Sequence, residues 1–361
     1  MWIFVHVLSS RNNNINTPEQ INIKNETLIL VLNKMFNTNI VHADWQTKQL
    51  YGGTIGVINL VTGTAETADG ENLPYNVVLK TQKKFNRLGI TNSWRREYDL
   101  YLSDFSTIFF DSLSLRLPEC YHAGISDDEM QIWIEYVDGI SGNDLTIEML
   151  ECAALELGRF QGRIYKQQPL LLQSNTSLSD LGEIDSMKND YMQWGPETVE
   201  YRYIRSKDCE IPEHLRKMLI DMDNKAETVF ENIKKLPVVL CHKDFWVENI
   251  FYRDGKIILI DWDCAGWGYM GEDIASLIAD DTEYSVEYLD EYYQRFIPAY
   301  YKGAAEYMDI STSMIDNNYI WEMMIIKFGY RFIHRYMFTE SFDRKNQCIN
   351  MLQKIYEMKD M

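Results

Sequence analysis

A chain of 361 residues is longer than one small core serves, so two or three domains or one large two-lobed unit are expected. With 46% hydrophobic and 25% charged residues, and only 19 glycines and 8 prolines, the composition excludes a disordered or fibrous protein. The 54 Asp and Glu outnumber 35 Lys and Arg for a net charge of −19, which repels phosphate backbones and anionic lipid surfaces and attracts cations. The expected partner is therefore a cationic small molecule, with no nucleic acid and no membrane.

The six cysteines include no C-x-x-C pair, which suits reduced thiols better than a disulfide frame or a thiolate zinc site. The opening MWIFVHVL is too short to span a bilayer and lacks a basic flank and a cleavage site. A soluble, cytoplasmic protein is expected, as a monomer or a homodimer.

In chain order, Glu26 to Phe36 carries apolar residues at helical spacing, and the short strands QTKQLYGG, GVINLVTG and YNVVLKTQ then open an antiparallel sheet. Gly52 and Gly53, with Gly56 behind them, stand at a turn where missing Cβ atoms let backbone N–H groups approach phosphate. Alone, such a pair reads as a plain hairpin turn. Lys80 lies inside the apolar VVLK, and an ammonium buried there needs a carboxylate. Trp94, Glu97, Tyr98, Tyr101 and Phe105 share one helix face, which places Glu97, seventeen residues after Lys80, on an apolar side where it too needs a partner. The stretches LRLPECYHAGI and QIWIEYV read as two further strands around an ISDDE turn.

From Asp138 onward helices prevail, with a connector near Val137 to Gly142, so the division expected is 1–137 and 138–361. Thr146 to Gln167 is amphipathic, and Pro212 reads as the first helical residue of a segment running to Lys235. One β-rich island interrupts, CHKDFWVENIFYRDGKIILIDWDCAG from Cys241 to Gly266, with Asp254-Gly255 as a tight hairpin turn. The fold class is α+β: a small antiparallel sheet lobe with one key helix, then a larger, mainly helical lobe.

That island holds His242, Asp244 and Asn249 as H-x-D-x-x-x-x-N, followed by Asp261 and Asp263 in IDWD. A carboxylate beside an Asn and a second carboxylate at strand ends is what hydroxyl-to-phosphoryl transfer requires. Asp244 would orient and accept the proton of a hydroxyl, while Asn249 and Asp261 offer hard oxygen ligands for Mg2+. His242 and Asp263 are expected to support the loop instead of carrying protons.

Glycine turn, strand lysine, helix glutamate, H-x-D-x-x-x-x-N and IDWD, in that order over about residues 45 to 280, resemble the aminoglycoside phosphotransferase and choline kinase family of the protein-kinase-like fold. The resemblance implies ATP or GTP as co-substrate, with Gly52 and Gly53 over the phosphates. It further implies Lys80 on the α and β phosphates, Glu97 orienting it, and Glu135 to Val137 as the hinge that reads the base. DWD in place of DFG, no APE, and about a hundred residues between hinge and catalytic loop favour a small-molecule acceptor over a protein. Lys243 departs from the small or neutral residue frequent in relatives, and its cation beside Asp244 would lower that acid's pKa.

For the acceptor, Asp280, Asp281 and Glu283 follow GEDIASLIA and read either as a solvated face or as an acidic cleft for an amine. Trp246, Trp262, Trp267, Tyr269 and Trp321, of which Trp267 and Trp321 are the candidate substrate contacts, read as packing or as a cage for a cation. An aminoglycoside-type acceptor is favoured, with choline, ethanolamine, an amino sugar or another metabolite as the alternative. A kinase-like binding protein without turnover is the reading from another class.

Overall fold

The structure is a computed structural model and describes residues 23–50, 56–85, 93–103, 114–174, 185–280, 286–310 and 317–360. The described residues divide into two compact units, one within Met1–Tyr98 and Glu119–Tyr136 and the other within Asp99–Pro118 and Val137–Met361.

The first unit is built on β1 (Ile40–Ala43), β2 (Gln46–Gln49), β3 (Val57–Thr67), β4 (Asn72–Lys83), β6 (Cys120–Ile125) and β7 (Glu129–Glu135), ordered β1-β3-β4-β7-β6 with β2 on β3. All of these pairings are antiparallel. Helix α1 (Asn25–Phe36) buries Leu28, Val31 and Leu32 against Val61, Ala65, Val77, Leu79 and Trp133 of the sheet. Strands β3 and β4 are 11 and 12 residues long, so they are not short as expected. They run on through Gly63 and Pro74, which pair with Tyr75 and Thr64. Pro74 is tolerated because it lies outside Val77–Lys83, the span over which β4 also pairs with β7, so no second ladder needs its missing N–H.

The stretch LRLPECYHAGI is two strands, not one. Pro118 has no N–H and a fixed φ, and it separates β6 from β5 (Leu115–Arg116), which belongs to the second unit and pairs parallel with β11 (Lys256–Leu259).

In the second unit, β5, β11, β10 (Ile250–Arg253) and β8 (Ile140–Ser141) form one sheet in that order, and β9 (Val238–Cys241) pairs with β12 (Gly266–Tyr269) in another. Helix α2 (Arg96–Leu102) spans the boundary between the units in sequence. The helices that follow are α3 (Ile147–Ser174), α4 (Ser186–Met192), α5 (Val199–Arg205), α6 (Glu213–Ile233), α7 (Glu272–Ala279), α8 (Leu289–Ala304), α9 (Asn317–Phe338) and α10 (Phe342–Glu357). Pro212 stands one position before α6, at ψ 137°, as its cap and not as its first residue. Helices α3 and α8 meet backbone to backbone: a Cβ on Gly158 would lie 1.9 Å from the Tyr300 carbonyl oxygen, and one on Gly303 2.1 Å from that of Leu155. Helix α3 also meets β9, where Gln161 donates to the Leu240 carbonyl at 3.3 Å. No helix among the described residues is long and apolar enough to cross a membrane.

Candidate active site

In the first unit, Lys80 lies on β4 between Ile58 of β3 and Ile132 of β7, only 6% exposed. Its ammonium meets the Glu97 carboxylate at 2.5 Å, and Glu97 is 1% exposed in the first turn of α2. A single buried charge would be expelled or neutralised, so each of these two residues accounts for the other's burial, and removing either leaves a cost of about 3–5 kcal/mol. Gln82 donates from Nε2 to the Trp94 carbonyl at 3.1 Å, which pins the turn leading into α2 to the same strand. Strand β7 ends at Glu135, whose amide donates to Glu119, and Val137 is buried two residues on. Gly52 and Gly53 lie outside the described residues.

In the second unit the hairpin sets the register. Asp254 and Gly255 both take positive φ, 51° and 77°, the turn whose twist matches paired strands, so Arg253 faces Lys256 and Ile250 faces Leu259. One step further the Ile260 amide donates to the Asn249 carbonyl at 3.0 Å, which brings Asn249 and Asp261 to the same end of the hairpin. Asn249, 6% exposed, donates from Nδ2 to the Asp244 carbonyl at 2.8 Å and to its carboxylate at 3.0 Å. Asp261 itself is left-handed, with φ 62° and ψ 60°.

The loop before Asp244 is held from α7 and α3. Fully buried Asp273 accepts the His242 and Lys243 amides at 2.8 Å each, and the Gln161 side-chain amide at 2.9 Å. Gln161 in turn accepts the Tyr300 hydroxyl. These bonds hold Lys243 at φ 65°, a left-handed conformation that costs a residue with a Cβ about 1–2 kcal/mol. His242 faces the Ile260 carbonyl at 2.9 Å through Nε2; the carbonyl can only accept, so Nε2 carries the proton. Burial holds its pKa below the usual value, and the neutral ring packs edge-on against Trp262 at 4.7 Å.

Asp244 is half-buried, and its pKa is pushed up to about 6, first by burial and then by the charges of Asp280, Asp261 and Asp263. The cation that most opposes this shift is Lys327. The Lys243 ammonium reaches Ser186 Oγ at the start of α4, 2.7 Å away. Lys327, half-buried on α9, donates to the Lys243 carbonyl at 3.0 Å and to Ser276 Oγ at 2.5 Å. No sequence expectation named it, although a lysine inside the apolar MMIIKFGY is the same kind of signal as the one in VVLK.

Asp280 caps the C-terminal end of α7 and is the largest of the charges on Asp244. Asp281 and Glu283 lie outside the described residues. Three of the candidate tryptophans are buried. Trp262 is fully buried with its N–H on the Leu259 carbonyl, and Trp321 donates to the Ile355 carbonyl at 2.6 Å. Trp267 is buried in β12 opposite Leu240. For Trp262 and Trp321 the indole N–H is thus already anchored on backbone.

The donor set suits Mg2+ completed by phosphate. Among the described residues no group of three or more His, Cys, Asp or Glu is placed to hold a metal by itself. Mg2+ characteristically takes one or two protein oxygens and leaves the rest to water and phosphate. Asn249 spends its Nδ2 on Asp244, which leaves Oδ1 as a ligand beside Asp261, and the acids that raise the Asp244 pKa are the charge a divalent ion would offset.

Residues 112–307 match the model of the phosphotransferase enzyme family. No curated protein matches the chain in sequence. Among solved structures it is similar to the amicoumacin kinase hAmiN, solved with AMP-PNP, Ca2+ and Ami, with a TM-score of 0.53, 13% identity, and 93% of this chain and 94% of that one covered. It is also similar to choline kinase from Cryptosporidium parvum Iowa II (0.54, 17%, 93% and 96%). A third is aminoglycoside phosphotransferase from Alicyclobacillus acidocaldarius (0.54, 12%, 96% and 96%). At these identities the likeness bears on the fold, a protein-kinase-like one with an N-terminal antiparallel sheet and a helical C-terminal part. The family match spans more than half of the chain and includes the Asp244 loop and its hairpin, and on it the chain belongs to the phosphotransferase enzyme family as a small-molecule kinase with a hydroxyl acceptor.

Proposed function

We propose that this protein transfers the γ-phosphoryl group of ATP or GTP, as its Mg2+ complex, to a hydroxyl of a small cationic molecule of aminoglycoside type. The observation that carries this is the Asp244 loop, where a half-buried carboxylate is aimed by Asn249 and its backbone is held by Asp273. Asp244 aligns the acceptor hydroxyl and takes its proton. A carboxylate with a pKa of about 6 is mostly ionised at neutral pH and more basic than an ordinary one, which suits that task. Lys80, oriented by Glu97, holds the α and β phosphates, and the hinge at Glu135 to Val137 takes the base. Bound through Asn249 and Asp261, Mg2+ would supply charge neutralisation at the phosphates.

Asp280 and the net charge of −19 support a cationic acceptor. Choline or ethanolamine is the second reading within the family, and the backbone-anchored tryptophans weigh against the aromatic cage it would use. The test is Asp244→Ala assayed for phosphoryl transfer and for nucleotide binding. Transfer should be abolished with binding largely intact, and retained turnover would refute the role. A thermal-shift panel of aminoglycosides, macrolides, choline and amino sugars with nucleotide present identifies the acceptor, since a ligand at about 100 times its Kd adds roughly 2.7 kcal/mol. Absence of Mg2+-dependent nucleotide hydrolysis in every condition would favour the non-catalytic alternative.

A further inference from the structure

Lys243 sits at φ 65°, immediately before the proposed base, and both peptide planes flanking its Cα are gripped. Its N–H donates to Asp273 Oδ1 at 2.8 Å, and its carbonyl accepts from the Lys327 ammonium at 3.0 Å. The second of these planes is the one from which Asp244 hangs. Lys327 comes from α9, 84 residues away in sequence, and its ammonium is anchored a second time on Ser276 of α7 at 2.5 Å. It lies near enough to Asp244 to act on its charge. Asn249 grips Asp244 from the other side, by its carbonyl and its carboxylate.

We propose that Lys327 is a positioning residue for Asp244: by holding the Lys243 carbonyl from α9 it locks the left-handed kink that aims the base. This rests on the assignment of Asp244 as the base. A lysine on one helix that is bound both to a loop carbonyl and to a serine of a second helix cannot be replaced by an apolar residue of similar length without releasing the peptide plane, whereas arginine keeps the charge and donors on a longer stem. The nucleotide is bound by other residues, so the loss should fall on turnover.

The experiment measures ADP release from Mg·ATP with water as the only acceptor, in the full-length chain and in Lys327→Met, Lys327→Arg and Asp244→Ala. Amide hydrogen exchange over residues 242–249 is followed in the same proteins. Lys327→Met should lower kcat about 100-fold with KM for Mg·ATP unchanged, as a misaimed group does, and Lys327→Arg should recover to within about tenfold of the parent. A kcat for Lys327→Met within about threefold of the parent overturns the proposal, as does a loss expressed in KM alone. If the parent releases no more ADP than Asp244→Ala, phosphoryl transfer by this base fails, and exchange alone judges the clamp. Lys327→Met should then speed exchange across the loop about tenfold while β4 amides keep theirs, and unchanged loop exchange overturns it. Should Lys327→Met not fold, Ser276→Ala removes one anchor of the ammonium and should speed loop exchange about threefold; no change there also overturns it.

Discussion

The Asp273 carboxylate accepts the Lys243 amide at 2.8 Å while its other oxygen accepts from His242 and Gln161, so one buried acid on α7 satisfies three donors of the loop and of α3. Asp273→Asn keeps the shape and removes one acceptor, turning an N–H toward an N–H. A bond to a charged group contributes about 1.5–3 kcal/mol, and a stability loss of that size is expected. Turnover should fall as well, because the loop that carries Asp244 loses its grip. Denaturant unfolding and steady-state kinetics of the variant check both, and a variant as stable and as active as the parent would show that Asp273 merely fills space.

A second acid on the same helix gives a pH dependence. Glu272 is buried, accepts the Tyr269 amide at 2.7 Å, and has its pKa raised from 4.5 to about 7, first by burial, with Lys243 and that amide opposing. The folded chain therefore binds a proton here more tightly than the unfolded chain does. Between pH 4.5 and 7 the folded state holds more protons, so the contribution of Glu272 is most favourable below pH 4.5 and is lost as pH rises through 7, by about 3 kcal/mol at most. Asp244, raised from 3.8 to about 6, slopes the same way. Glu272→Gln retains an acceptor for Tyr269 and does not ionise. Its melting temperature should fall less than the parent's between pH 5 and pH 8, and parallel profiles would remove Glu272 as a source of the slope.

Parts of this site were legible in the chain for a physical reason. A lysine in VVLK and a glutamate on an apolar helix face are each untenable alone, and the 2.5 Å pair is the resolution of that conflict. Asp254-Gly255 dictates a two-residue turn, the turn dictates the register, and the register delivers Asn249 and Asp261 to one end of the hairpin. Lys327 follows the same logic as Lys80, but its partners are a backbone carbonyl and a serine hydroxyl, which carry no charge signature in the sequence. The Ser186 contact of the Lys243 ammonium was not legible, because its partner lies 57 residues away in sequence. The anchoring of Trp262 and Trp321 was not legible, because composition cannot distinguish an indole facing a ligand from one donating to Leu259 or Ile355. The break inside LRLPECYHAGI was signalled by Pro118, while the destination of Leu115–Arg116 depends on a strand well over a hundred residues later.

Replacing Asp280 tests for a cationic acceptor against a neutral one. At the C-terminal end of α7 its charge adds to the negative end of the helix dipole, and it is the strongest charge acting on Asp244. An ammonium group of an acceptor brought to Asp244 would meet Asp280 as a counterion in a partly solvated setting, where such a pair contributes about 0.2–1 kcal/mol. Asp280→Asn should therefore raise KM for an amine-bearing acceptor up to about fivefold while KM for the nucleotide stays unchanged. The same substitution removes a like charge from Asp244, so the pKa of that acid in the nucleotide-free protein should move down from about 6, which carboxyl-carbon NMR reads directly. A falling Asp244 pKa with unchanged acceptor KM would leave Asp280 as an electrostatic neighbour of Asp244 that the acceptor never touches. If neither moves, Asp280 belongs to the solvated end of its helix.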